Sequence, residues 1–247
     1  MYAVLQTSLD QAIDRQTLEE ALMATSELAG PDRMRLLREL FGIIVRGLSE
    51  DDALALQAAL QARRITTEVV DESVLPVLAQ PRRVRALNLL DTGISLVDLY
   101  DRETSYEWQH IVFAAGGGLL HLKDVQHQDL ATVGGGRGGI KSLIVSKHRS
   151  ENFPEFRLEV FLPRELPRVQ WVLTKDSFIT VNEAHLRLRD GDQLAIILST
   201  LGNALSPGQV NVGIKRAMVG EQFTYPSVHA FEDEIVWSLY RMSHSAD

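Results

Sequence analysis

The sequence predicts an α+β protein in two parts: a small β-α-α-β-α-β sandwich over residues 1–79, then a β-rich, barrel-like domain with C-terminal helices over 84–247. Three observations predict it. The run IIVRGLSEDDALALQAALQARRITTEVVD, Ile43 to Asp71, reads as strand, capped helix and strand joined by short turns. Next, LPVLAQPRRVR, Leu75 to Arg85, has two prolines and no periodicity, which marks a boundary near Pro76 to Pro81. Beyond Leu87, short apolar runs alternate with turn residues, and the chain closes on a segment of helical period.

Taken in order, Tyr2 to Leu9 is short and apolar and suits a strand. Asp14 caps a helix from Arg15 to about Thr25 that sets Leu18, Ala21 and Leu22 on one face. Gly30-Pro31 breaks the pattern, and Pro31 starts a second helix carrying Met34, Leu37 and Leu40. Ile43 to Val45 is β-branched and favours a strand. Ser49 is an N-cap, Glu50, Asp51 and Asp52 complement the positive end of the helix dipole, and Arg63 and Arg64 complement the other end. Those carboxylates serve the helix rather than a catalytic cluster. Thr66 to Val70 is the last strand of the first part.

In the second part, Ile94–Tyr100 and Tyr106–Ala115 read as a hairpin about the turn DRET, ended by Gly116-Gly117-Gly118. Further strands are expected at Lys141–Ser146, Phe156–Leu162 and Val169–Thr174, while Phe178–Leu188 is ambiguous. Asp190 or Asp192 caps a helix covering Leu194, Ile197, Leu198 and Leu201, closed by Gly202-Asn203. In VHAFEDEIVWSLYRM, Phe231, Ile235, Leu239 and Met242 share one helical stripe. The plain reading is a core helix; the alternative is an interaction helix presenting that stripe to a partner.

The order of elements and the Ile43–Asp71 run resemble the C-terminal domain of the ribosomal stalk protein, whose fold the Clp protease adaptor shares. That resemblance covers about 70 residues and implies a protein-docking module. The stalk domain's helix lysines are absent here, where Arg33, Arg35 and Arg38 stand instead. The fragment ISLVDLYDRETSYEWQHIVFAAG resembles the first hairpin of a pleckstrin-homology-like barrel. Its turn, Asp101 to Thr104, lacks the cations of lipid-binding members, so the resemblance implies protein binding rather than a lipid head group.

Composition narrows the function. At 45% hydrophobic residues the chain can bury a core. A net charge of −8 argues against nucleic acid and against anionic membranes, both of which call for cations. With no cysteine there is no disulfide, thiolate nucleophile or zinc-thiolate site. The first residues lack the basic start and apolar core of a signal peptide, and no apolar run reaches the ~18 residues of a membrane span, so a cytoplasmic, bacterial-type protein is expected.

Few motifs carry chemistry. GGGRGGIKS, Gly134 to Ser142, spaces two glycines as a phosphate loop does, but Ile140 intrudes so that Lys141 and Ser142 arrive one position late. The following LIVSK reads as a strand, not the helix whose N-terminus would hold the anion. Gly134, Gly135, Gly136, Arg137, Gly138, Gly139 and Lys141 stay as a candidate anion-binding loop. His121, Asp124, His127 and Asp129 mix imidazole with carboxylate, but at no metal-ligand spacing. Arg82, Arg83 and Arg85 form a basic cluster, read as linker or ion-pair residues. Lone His110 and His185 and the tryptophans 108, 171 and 237 read as core or edge residues. No catalytic residue, metal site or cofactor follows. The expected function is a non-enzymatic protein-interaction or self-assembly module with a protein partner or a second copy as ligand. The alternative is a small-molecule or anion-binding protein, enzymatic or not, that uses the Gly134–Gly139 loop and the nearby basic residues Arg82 to Arg85.

Overall fold

The computed structural model describes the backbone of residues 1–11, 13–23, 41–133, 141–163, 169–173, 178–181, 184–187 and 191–244. Side chains are described for the same residues except 120–155, 170–173, 178–179, 184–187 and 191–193. The class is α+β, with three sheets among the described residues. The expected second helix of the N-terminal part, from Pro31, lies outside the described residues.

The first sheet has the order β2-β1-β3, with β1 Tyr2–Gln6, β2 Ile43–Leu48 and β3 Thr67–Asp71, all antiparallel. Helices α1 (Arg15–Leu22) and α2 (Glu50–Gln61) begin where their caps predict. The Asp14 carboxylate accepts the Thr17 N–H at 2.9 Å, and the Ser49 hydroxyl accepts the Asp52 N–H at 3.2 Å. At its end, α2 gives way to Arg64 with φ +63°, while Arg63 donates to the Ala59 carbonyl in the last turn at 2.9 Å. Alternation along β1 sorts its side chains. Val4 joins Leu18, Leu22, Leu56 and Leu60 under the two helices; Ala3 and Leu5 face the other way.

That other face is not open. The final helix of the chain, α5 (Val228–His244), lies on it, placing Val236, Trp237 and Tyr240 against Leu5, Ile43 and Val70. Polar bonds fix the seat: the Gln6 carbonyl accepts from Trp237 Nε1 at 2.6 Å and from Arg241 at 2.9 Å, and Glu68 takes the Tyr240 hydroxyl at 2.9 Å and Arg241 at 2.7 Å. The sequence places helices on one face of this sheet; the structure covers both, using residues from the far end of the chain.

The second part contains two five-stranded sheets and no closed barrel among the described residues, which corrects the barrel-like expectation. One sheet runs β12 (Ala184–Arg187), β11 (Phe178–Val181), β5 (Ala86–Leu90), β6 (Gly93–Val97), β7 (Glu103–Glu107). The other runs β13 (Thr224–Tyr225), β8 (Phe113–Val133), β9 (Lys141–Phe161), β10 (Val169–Leu173), β4 (Arg82–Arg83). One core cluster draws Leu87, Leu89 and Ile94 from the first sheet and Ala114, Leu158 and Val160 from the second. It is closed by Ile197, Leu198 and Leu201 of α3 (Gly191–Ala204) and Ile214 of α4 (Val212–Met218). A further cluster joins Phe113, Ala115 and Tyr225 to Phe231 and Ile235 of α5. Helix α5 therefore touches both parts of the chain.

Two expectations change here. Gly116, Gly117 and Gly118 do not end a strand; they lie inside β8. A Cβ on Gly116 would sit 2.3 Å from Leu198 Cδ2, and one on Gly117 2.7 Å from Tyr225 Cε2, so the glycines make room for α3 and for the tyrosine ring. The strands expected at Lys141–Ser146 and Phe156–Leu162 are parts of one strand, β9.

Candidate functional site

Two places in the fold carry more than ordinary packing. The first is the antiparallel pair β8 and β9, each 21 residues long, in unbroken register from Phe113↔Phe161 to Val133↔Lys141. At its foot the pair is part of a sheet: β13 flanks β8 at Gly118 and Leu119, and β10 flanks β9 from Phe156 to Val160. Beyond that foot, fourteen register pairs from Leu120↔Pro154 to Val133↔Lys141 have no third strand beside them among the described residues. At about 3.3 Å per residue this is a two-stranded ribbon roughly 45 Å long.

The second place is a buried polar cluster at the start of α4. Three backbone N–H groups there need acceptors, and each finds one. Val212 donates to Glu234 Oε1 at 2.7 Å, Gly213 to the Tyr225 hydroxyl at 3.3 Å, and Ile214 to Asn211 Oδ1 at 3.1 Å. Asn211 also bonds Gly116 of β8 through both its N–H, at 3.0 Å, and its carbonyl, at 3.1 Å. Its Nδ2 donates to the Tyr225 hydroxyl at 2.6 Å, and that hydroxyl donates to Glu234 Oε2. Asn211, Tyr225 and Glu234 are all buried. Burial pushes the Glu234 carboxyl up to about 7, against the opposing pull of Tyr225, the Val212 N–H and Lys215. Burial and the neighbouring Glu234 charge raise the Tyr225 hydroxyl well above its ordinary value. Both Glu234 oxygens are occupied by donors of the chain itself, so the cluster can anchor α4, α5 and β8 to one another, and it offers no free oxygen to a substrate.

Comparisons with protein-family models, with curated proteins and with solved structures find no match. The site is therefore read from this chain's own geometry.

The residues singled out in the sequence divide accordingly. Gly134, Gly135, Gly136, Arg137, Gly138 and Gly139 lie outside the described residues. Lys141 opens β9 opposite Val133, and Ser142 to Ser146 continue as strand. His121, Asp124, His127 and Asp129 all lie in β8, opposite Phe153, Ser150, Lys147 and Val145. Of the interaction stripe, Phe231 and Ile235 are fully buried, and Leu239 and Met242 pack against the same cluster. Phe231 and Ile235 thus serve the core, and Leu239 and Met242 are half-buried beside it.

Two of the three arginines of the basic cluster are paired: Arg82 lies 3.1 Å from Asp98, and Arg85 bonds Asp101. Asp98 also takes Arg102 at 2.8 Å, and the Arg102 backbone N–H, then that of Tyr100 and the Arg102 guanidinium, hold its carboxyl down at about 2. Trp108 and Trp237 pack at core edges, and His110 is exposed. A shallow cleft runs between Phe156, Leu194, Leu198, Ala217, Glu221 and Phe223.

Sequence reading missed Glu234 and Asn211. The signal was present. Glu234 stands three residues after Phe231, within the helical stripe, where a solvated carboxylate does not belong. Asn211 precedes VGIKRAM as an N-cap.

Proposed function

We propose that this chain is a protein-interaction module whose docking element is the β8–β9 ribbon. The observation that supports this is the absence, among the described residues, of a third strand along fourteen consecutive register pairs. A two-stranded ribbon is marginally stable by itself, and its outer edges present unpaired N–H and C=O groups that template another strand. The foot of the ribbon is held in a five-stranded sheet and a packed core, so the arm is carried on a rigid base. The outer face of the N-terminal sheet is already covered by α5, so that face is not open to a partner. Anion binding by the glycine loop has less support, since Lys141 opens a strand and no helix N-terminus follows to hold the charge.

The test replaces residues 122–152 with Asn-Gly, which closes a two-residue hairpin between His121 and Phe153. The expected result is an unchanged thermal midpoint with loss of association, read by light scattering for self-association and by capture for other partners. A full-length chain that stays monomeric and captures nothing overturns the proposal, as does a shortened chain that associates like the original.

A further inference from the structure

We infer that the partner of the ribbon is a second copy of this chain, joined antiparallel through the free edge of β8 with Gln126 on the two-fold axis. The inference rests on the proposed docking role of the ribbon and adds the occupant, the edge and the register.

The two edges of the ribbon differ. The β9 edge carries Lys147, Arg149 and Glu151 along the stretch that faces His121–Ala131, with Lys141 at its tip and Pro154 at its foot opposite Leu120. Lysine and proline on an edge oppose strand addition, proline because it has no N–H to give. The β8 edge from His121 to Ala131 has no proline, and its charges are Lys123, Asp124 and Asp129. Pairing β8 with β9 of another copy would be head-to-tail and would propagate into a filament, whereas β8 against β8 closes at two copies. It also leaves both guarded β9 edges facing outward.

Register follows from geometry and charge. A two-fold axis perpendicular to the joined sheet keeps each residue on its own face, so the axis must pass through a residue position rather than between two. Centred on residue 123, 124 or 129, the pairing sets like charges against each other at the axis. Centred on Gln126, it sets Lys123 opposite Asp129 twice, Leu122 opposite Leu130 twice, and Gln126 opposite itself. No other centre between residues 123 and 129 brings Lys123 opposite an acid. The segment that would pair, 121–131, begins just past Leu119, the last β8 residue flanked by β13. The result is a four-stranded sheet made of two ribbons.

The experiment is a charge swap in the full chain, with mass measured by light scattering across a concentration series. The unaltered chain is expected to be a dimer. Lys123→Asp and Asp129→Lys each turn both cross-strand pairs repulsive, so each should weaken the dimer tenfold or more. Mixed in equal amounts, the two variants should form a heterodimer, because every Asp then faces a Lys; the double variant should dimerise alone. In a chain without cysteine, Gln126→Cys should cross-link efficiently with a short bismaleimide, and Gln128→Cys, opposite position 124, several-fold less. A monomeric unaltered chain, single variants that remain dimeric, or a mixture that stays monomeric would each overturn the inference. If dimerisation survives the charge variants but not the shortening of the ribbon, the register and edge fall while the docking role stands. If it survives shortening as well, both fall.

Discussion

The N-terminal sheet and the β8–β9 ribbon are both built on antiparallel pairing, yet the first is covered on both faces and the second stands, past its foot, without a third strand among the described residues. The sheet has three short strands and is buried on both faces, by α1 and α2 on one side and by α5 on the other. The ribbon has two long strands and, past its foot, no strand beside it among the described residues. Strand pairing exchanges hydrogen bonds with water for hydrogen bonds within the chain and yields little net free energy. Apolar burial drives folding, and the sheet has it on both faces, so the sheet belongs to the folded body; the proposed docking role makes the ribbon an appendage carried by it.

Removing cover and removing ribbon should therefore have opposite consequences. Deleting Val228 to Asp247 strips Val236 and Tyr240 from the N-terminal sheet and Phe231 and Ile235 from the second core. It also leaves the Gln6 carbonyl without Trp237 and Arg241, and the Val212 N–H without its carboxylate. The expected outcome is a chain with no cooperative melting transition by circular dichroism. The longer ribbon deletion, by contrast, should leave the transition in place. A folded, monomeric chain lacking α5 would break the comparison.

Acid and base sharpen it further, because two carboxylates of the folded body respond with opposite signs. Glu234 titrates at about 7 in the folded chain against an ordinary 4.5, so folding favours its protonated form. Its contribution is full below about 4.5 and is lost as pH rises through about 7, a change on the order of 3 kcal/mol. Asp98 is held at about 2 against 3.8; its contribution is present above 3.8 and is lost as pH falls through about 2. Glu234→Gln should flatten the decline of the thermal midpoint between pH 4.5 and 7 while leaving the acid limb from Asp98 intact. A decline that persists in the variant would assign it elsewhere.

What the sequence reveals follows the range of the interactions. Ser49 with Glu50 to Asp52, Asp14, and the Leu194–Leu201 stripe are local signals, and each marks a helix, although α1 stops at Leu22 and α3 runs through Gly202-Asn203 to Ala204. The cover of the N-terminal sheet was not legible, because Gln6 and Trp237 meet across 231 residues and no local pattern couples them. The ribbon was half legible. Its apolar ends read as strands, while the polar middle from His121 to Asp129 has no alternation and becomes strand through its register with Val145 to Phe153. Glu234 follows Asp233 directly, and locally only its place three residues after Phe231 tells the two acids apart. Asp233 faces Arg46 at 2.9 Å, and Glu234 turns inward to cap a different helix.

Glycine was the residue most easily misread, and it supplies the smallest of the expected effects. By local propensity, Gly213→Ala should stabilise α4, since alanine is the better helix former by about 1 kcal/mol. Tertiary packing reverses the sign. A Cβ at 213 would fall 2.0 Å from the Gly116 carbonyl oxygen, a backbone atom inside β8 that has no rotamer to yield. The same carbonyl accepts from Asn211 Nδ2, so displacing it also disturbs the cluster that ends on Glu234. A net loss of about 1–3 kcal/mol is expected from overpacking, read as a lower urea midpoint at unchanged slope. Gly208→Ala, with no atom within 4 Å of the added carbon, should be close to neutral by the same measurement. Equal effects at the two positions would mean that close approach of α4 to the foot of the ribbon does not hold the body together.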